Sequence, residues 1–125
     1  MAIKSFGLAF SLVLGGMTIT ASAQEGDGAS GNTVSSLLVS DQLDLASASK
    51  LFNNNCSACH GKKAQGVASY PRLSGQSAEY LADKLQTYRA GERIGPNSVL
   101  MIQNARGLSD NEIASLSVYI STTFE

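Results

Sequence analysis

The sequence predicts an all-α domain, and three observations carry that prediction. Apolar residues recur with helical period in three separate segments, and glycine-bearing loops join those segments. No stretch alternates apolar and polar residues convincingly, as a half-buried strand would. At 125 residues, the chain has room for one domain and little more.

The first residues read as an export signal. Lys4 supplies a positive start, Phe6 to Ile19 is an apolar run, and Ala21-Ser22-Ala23 gives the small-x-small cleavage pattern, with cleavage expected before Gln24. The run is about 14 residues, short of the roughly 20 that a membrane-spanning helix needs, so no stable membrane insertion is expected after cleavage. The alternative at this point is an uncleaved N-terminal anchor. Residues 24–33 are polar and rich in glycine, which predicts a flexible tether. Val34 to Leu43 carries scattered apolar residues and reads as a lead-in, either an ordered arm or a loose one. The sequence thus divides into a signal over 1–23, a tether or lead-in over 24–43, and a domain over 44–125.

Within the domain, Leu45, Ala48, Leu51 and Phe52 fall on one face of a helix from about Asp44 to Asn55. Asp44 or Asp41 caps its start, and the run Asn53-Asn54-Asn55 is expected to end it. Phe52 is expected to pack against a second helix or a bound group. A loop follows from Gly61 to Gly75. Ser77 then caps a helix whose apolar stripe is Tyr80, Leu81, Leu85 and Tyr88, stopped by Gly91 in the left-handed region. A second loop runs from Glu92 to Gly107. The last helix starts on a capping box, Ser109 with Glu112, closed by a hydrophobic staple of Leu108 on Ile113. Ile113, Leu116, Tyr119 and Ile120 form its buried face through to Phe124.

The chemistry concentrates where the first helix ends, in Cys56-Ser57-Ala58-Cys59-His60. These are the only two cysteines and the only histidine of the chain. Cys-x-x-Cys-His is the attachment motif of a c-type haem. Each thiol adds across one porphyrin vinyl group, so the sulfurs must lie one short turn apart, and the next residue can turn its imidazole onto the iron. A thioredoxin-like dithiol would want a βαβ setting, and a structural zinc site would want four ligands; neither suits these flanks and this ligand count. The cofactor expected is therefore one covalent haem c with its iron. Both cysteines are consumed in that attachment, which leaves none for a disulfide in an exported domain of about 80 residues with a thin core. The porphyrin would fill that core, and the haem-free chain is expected to fold poorly.

Pro71, eleven residues beyond His60, has no N–H but keeps a carbonyl free to accept Nδ1–H of that histidine. Once residues 1–23 are removed, Met101 is the one methionine left, and no second histidine exists. A thioether there would complete His/Met coordination, which raises the potential and keeps oxygen off the iron; the alternative is methionine as core filler. Lys62 and Lys63 either dock an acidic redox partner or form an ordinary solvated surface. Arg72, Arg89 and Arg93 are candidates to pair the haem propionates. Without Lys4, eight Lys and Arg face ten Asp and Glu, a formal charge of −2 with no basic stripe for nucleic acid.

Residues 46–124 resemble the class I c-type cytochromes, especially small bacterial cytochromes of the c4, c5 and c553 kind. The likeness rests on Cys56 to Gly61, Pro71-Arg72-Leu73-Ser74-Gly75-Gln76, Tyr80-Leu81, Tyr88 to Arg93, Met101, Leu108-Ser109-Asp110 and Tyr119-Ile120. It implies the cytochrome c fold, three main helices and glycine-rich loops wrapped around one haem. It implies a periplasmic electron carrier rather than an enzyme, with Cys56 and Cys59 as thioether anchors, His60 and Met101 as axial ligands, and the Pro71 carbonyl orienting the histidine. Its partners would be a membrane complex or a periplasmic oxidoreductase. The same fold serves a haem subunit of a periplasmic dehydrogenase or sulfur-oxidising enzyme, and an open-iron haem enzyme or gas sensor is a third class.

Overall fold

Asp44 caps the helix as read: its Oδ1 accepts the Ser47 N–H at 2.9 Å, before a helix over Leu45–Leu51 (α2). Hydrogen bonds from Ser47, side chain first and backbone second, hold the Asp44 carboxyl below its ordinary 3.8. The computed structural model describes residues 30–38 and 42–125; the export signal read over 1–23 and the alternative cap Asp41 lie outside the described residues. Before α2 comes α1, Ser30–Leu37; after it come α3, Ser57–His60, then α4, Ala78–Arg89, α5, Ser98–Ala105, and α6, Asp110–Thr123. Among the described residues there is no strand, only an isolated bridge between Val67 and Tyr70. No described helix is long and apolar enough to cross a membrane.

The asparagine run does not end the first helix. Phe52–Cys56 forms a π turn, with the Ser57 N–H reaching back five residues to the Phe52 carbonyl, and the helix continues as α3 to His60. Asparagine breaks helices when its side chain competes with the backbone for partners. Here Asn53 Nδ2 donates to the Ser49 carbonyl at 2.9 Å, and Ser57 Oγ donates to the Asn53 carbonyl at 2.8 Å. Both side chains bond along the helix instead of against it. Leu45, expected on the buried face, is 42% exposed because it opens the first turn; Ala48 and Phe52 carry the burial.

The later caps stand as read. Ser77 Oγ accepts the Tyr80 N–H at 3.2 Å, Gly91 takes φ +86°, and Ser109 and Glu112 make both halves of the capping box. The α4 stripe is shifted: Leu81 and Ala82 are buried while Tyr80 is half exposed. Phe52 packs on α6, its ring 6.0 Å from Tyr119 and 5.0 Å from Phe124, within a cluster that includes Leu81, Leu116 and Ile120. Arg89 ties the end of α4 to the start of α6 through the Leu108 carbonyl at 3.0 Å and Asp110 Oδ1 at 2.6 Å.

Two segments depart from the sequence reading. Helix α1 begins at Ser30, inside the stretch read as a tether, and Val34 is fully buried in a second cluster with Ala82, Ile113 and Ala114. The lead-in is thus an ordered arm over its helical part, because α4 and α6 leave an apolar seam for it to cover. The second loop contains α5, so Met101 sits on a helix and not in a loop. Its N-cap residue, Asn97, makes no side-chain cap bond, and Val99 and Leu100 are exposed, which together hide the helix from cap and stripe rules.

Candidate functional site

The π turn and α3 deliver Cys56, Cys59 and His60 on one continuous helix. Gly61 ends it at φ +84°, turning the chain away directly after the imidazole. Gly66, at φ +80°, then packs its bare α-carbon against the backbone of residues 70–72: a Cβ there would lie 2.8 Å from the Tyr70 carbonyl and 2.9 Å from the Arg72 nitrogen. The Gly66 N–H donates to the His60 carbonyl at 2.7 Å, and the Ala64 carbonyl accepts from Leu73 and Ser74 at 2.8 and 3.0 Å. These bonds fold the loop back onto α3. The bare α-carbon of Gly66 thus serves the loop's own closure.

That closure brings the Pro71 carbonyl 2.8 Å from His60 Nδ1. A carbonyl can only accept, so Nδ1 carries a proton, and Nε2 is the ring nitrogen left to hold a metal. The imidazole is 4% exposed, so its orientation is fixed by burial as well as by the bond. Cys56 and Cys59 are half-buried and not joined to each other. Burial, with Cys59 nearby as the lesser cause, pushes the Cys56 thiol up to about 11.

All five residues singled out by the sequence, Cys56, Cys59, His60, Pro71 and Met101, line one cleft of about 350 Å³. Its size is in the range of small-molecule and cofactor sites. Its other walls are Leu73, Leu81 and Leu85, with Leu116 and Ile120 from α6 and the segment Ile94 to Ser98. Three large apolar side chains stand open to this cleft: Tyr80 at 49% exposure, Ile94 at 50% and Leu100 at 45%. A flat apolar group with two vinyl carbons near the thiols would bury them, so the residues present fit a covalent haem. Among the described residues no three His, Cys, Asp or Glu side chains converge on a metal-ion site, and the βαβ setting of a dithiol enzyme is absent from them.

The three arginines separate. Arg72 lines the cleft, its Nε bonded to Ser74 Oγ at 2.6 Å and to the Ser74 carbonyl at 3.1 Å. Arg89 is engaged between α4 and α6, and Arg93 is exposed outside the cleft wall. Lys62 and Lys63 are exposed. Sequence reasoning missed Lys84, which lines the cleft between Tyr80 and Tyr88 with Nζ 5.3 Å from the Tyr80 ring centroid. The four-residue spacing of 80, 84 and 88 was the available signal, since it sets one side of a helix. It also missed Ile94, Leu100 and Ser98, which no periodic pattern marks.

The comparisons with known proteins agree with this geometry. The Cytochrome c family model matches residues 45–124. Cytochrome c-554(548) of Halomonas halodenitrificans is 50% identical over 68 residues, 54% of this chain and 82% of that protein. The thiosulfate dehydrogenase electron acceptor of Stutzerimonas stutzeri is 43% identical over 67 residues, 53% of this chain but 31% of that longer protein. The solved structure of Acidithiobacillus ferrooxidans cytochrome c4 superposes with a TM-score of 0.56 at 27% identity, covering 62% of this chain and 48% of that one. The motif, the helical cleft that gathers it, and a match over residues 45–124 place this chain in the cytochrome c family, whose members carry electrons on a covalently bound haem c.

Proposed function

We propose that the protein is a periplasmic one-electron carrier in which Cys56 and Cys59 anchor the haem and His60 and Met101 ligate its iron. The single observation behind this reading is the shared cleft: the His60 Nδ1–Pro71 carbonyl bond at 2.8 Å and the Met101 side chain belong to the same apolar space as both thiols. When bound, the haem supplies a one-electron iron couple. The protein's part is to hold that couple. Pro71 fixes the imidazole and raises its ligand strength. Met101, which lines the same cleft, would supply a thioether to the iron and so keep small gases from it. Leu73, Leu81, Leu85, Leu116 and Ile120 keep water from the macrocycle and lower the local dielectric. Arg72 is the arginine placed to pair a propionate, since its terminal nitrogens lie beyond an Nε already anchored by Ser74. The signal pattern over residues 1–23 supports export to the periplasm.

One relative is by name an electron acceptor for thiosulfate dehydrogenase, which favours a periplasmic oxidoreductase as partner and keeps open a permanent subunit role. Co-purification with such an enzyme distinguishes a subunit from a free carrier. The test of the site is the optical spectrum of the exported protein with an alkaline pyridine assay. It should show c-type bands and, when oxidised, the weak near-infrared sulfur-to-iron band. Met101→Ala should lose that band and lower the potential; an unchanged spectrum removes Met101 from the iron.

A further inference from the structure

The start of α5 is secured by a bond that runs backwards. Ser98, the first residue of the helix, is 2% exposed, and its Oγ accepts two backbone N–H groups, from Ile94 at 2.9 Å and from Gly95 at 2.7 Å. The Ser98 N–H donates to the Gly95 carbonyl at 3.1 Å, so residues 94–98 close into a tight turn around one hydroxyl. That turn forms a wall of the cleft. From outside, Asn97 Nδ2 donates to Ser69 Oγ at 3.3 Å, joining the turn to the loop that carries Pro71. Met101 lies three residues beyond Ser98, one turn along the same side of α5, beside the buried Ile102 and Ala105.

We infer that Ser98 is the positioning residue for the Met101 side chain: its hydroxyl clamps the turn before α5 and so sets how firmly that helix presents the thioether to the cleft. The inference rests on the proposed ligation by Met101. Its physical ground is that one buried hydroxyl accepts two backbone N–H groups. Without the hydroxyl both bonds are lost and water takes over the donors, so the turn loses its clamp. An opened turn frees the first turn of α5, and the thioether with it.

The test is a carbon monoxide titration of the ferrous, haem-loaded protein, with the near-infrared band and thermal melting followed in parallel. Carbon monoxide requires the Met101 position to be open, so its apparent affinity scales with the open fraction. Ser98→Ala should raise that affinity roughly tenfold, the equivalent of about one backbone hydrogen bond. Ser98→Thr, which keeps the oxygen, should stay close to the unsubstituted protein. Ser109→Ala removes a cap far from the cleft and serves as the control: it should lower the melting temperature and leave carbon monoxide affinity alone. A Ser98→Ala protein that melts earlier but binds carbon monoxide as before overturns the inference, since the role is then only structural. Met101→Ala separates the two readings: if it fails to raise the affinity, the ligation itself is wrong, whereas a large rise beside an inert Ser98→Ala removes only the role of Ser98. Should Ser98→Ala not load haem, the near-isosteric and poorly accepting Ser98→Cys takes its place, with the same rise expected. In the unsubstituted protein the Ile94 and Gly95 amides should exchange slowly, and exchange at free-peptide rates equally overturns the inference.

Discussion

Gly66 acts on His60 through the backbone of its own loop. Its backbone lies against residues 70–72, and an alanine there meets the Tyr70 carbonyl at 2.8 Å while held at φ +80°. The left-handed conformation alone costs an alanine about 1–2 kcal/mol. Relief of the contact moves the Pro71 carbonyl away from His60. A less strongly hydrogen-bonded imidazole is a weaker donor and stabilises ferric iron less. Gly66→Ala should therefore lower the melting temperature and raise the reduction potential; a destabilised protein with an unshifted potential would disconnect the loop from the histidine. Asp44 offers a second test at this scale. Its carboxyl is held below the ordinary 3.8 by Ser47, so the cap stabilises the fold at neutral pH and fades as pH falls through that lowered value. Asp44→Asn keeps an acceptor that does not titrate. Melting curves of the two proteins, taken from neutral to acid, should converge below pH 3.8, and parallel curves would show that the cap does not titrate there.

Among the elements, the π turn sets the direction of the haem motif. Five residues, Phe52–Cys56, occupy a wider turn than an α-helix allows, so Cys56, Cys59 and His60 are rotated relative to the Ala48 and Phe52 face that packs on α6. Inserting one residue into the run should turn the motif by about 100°. An alanine inserted after Asn54 is expected to abolish haem attachment while Asn54→Ala, at an exposed position, permits it; mass spectrometry of the exported proteins reads the difference. Sequence rules see some of these elements and miss others for physical reasons. Ser77, Ser109 and Glu112 announce their helices because the cap bond is local to the chain. Cys56, Cys59 and His60 were legible as a haem-attachment motif because that pattern admits few other uses in a chain with one histidine, and Pro71 and Met101 line the same cleft. Helix α5 was hidden because its securing hydroxyl, Ser98, faces backwards and its exposed Leu100 faces a cleft and not a protein core. Helix α1 was hidden because a polar, glycine-rich lead-in says nothing of the seam that Val34 covers.

At the scale of the whole molecule, the two apolar clusters are small. The first gathers Phe52, Ala64, Leu81, Leu116 and Ile120, and the second Val34, Ala82, Ile113 and Ala114. Leu81, Leu116 and Ile120 also line the cleft, so that cluster and a bound haem would share the same side chains. A domain of this size gains little stability to spare from its own side chains. The haem-free chain should therefore lack a cooperative thermal transition in circular dichroism while the loaded protein shows one; a sharp native-like melt without haem would contradict this. Helix α1 has its own bearing on how the molecule is handled. The family span starts at residue 45, so a fragment trimmed to that span would lose the cover over Ala82, Ile113 and Ala114. Such a fragment would be sticky along the bared seam, and the dimers or aggregates it formed would be artefacts of where the gene was cut.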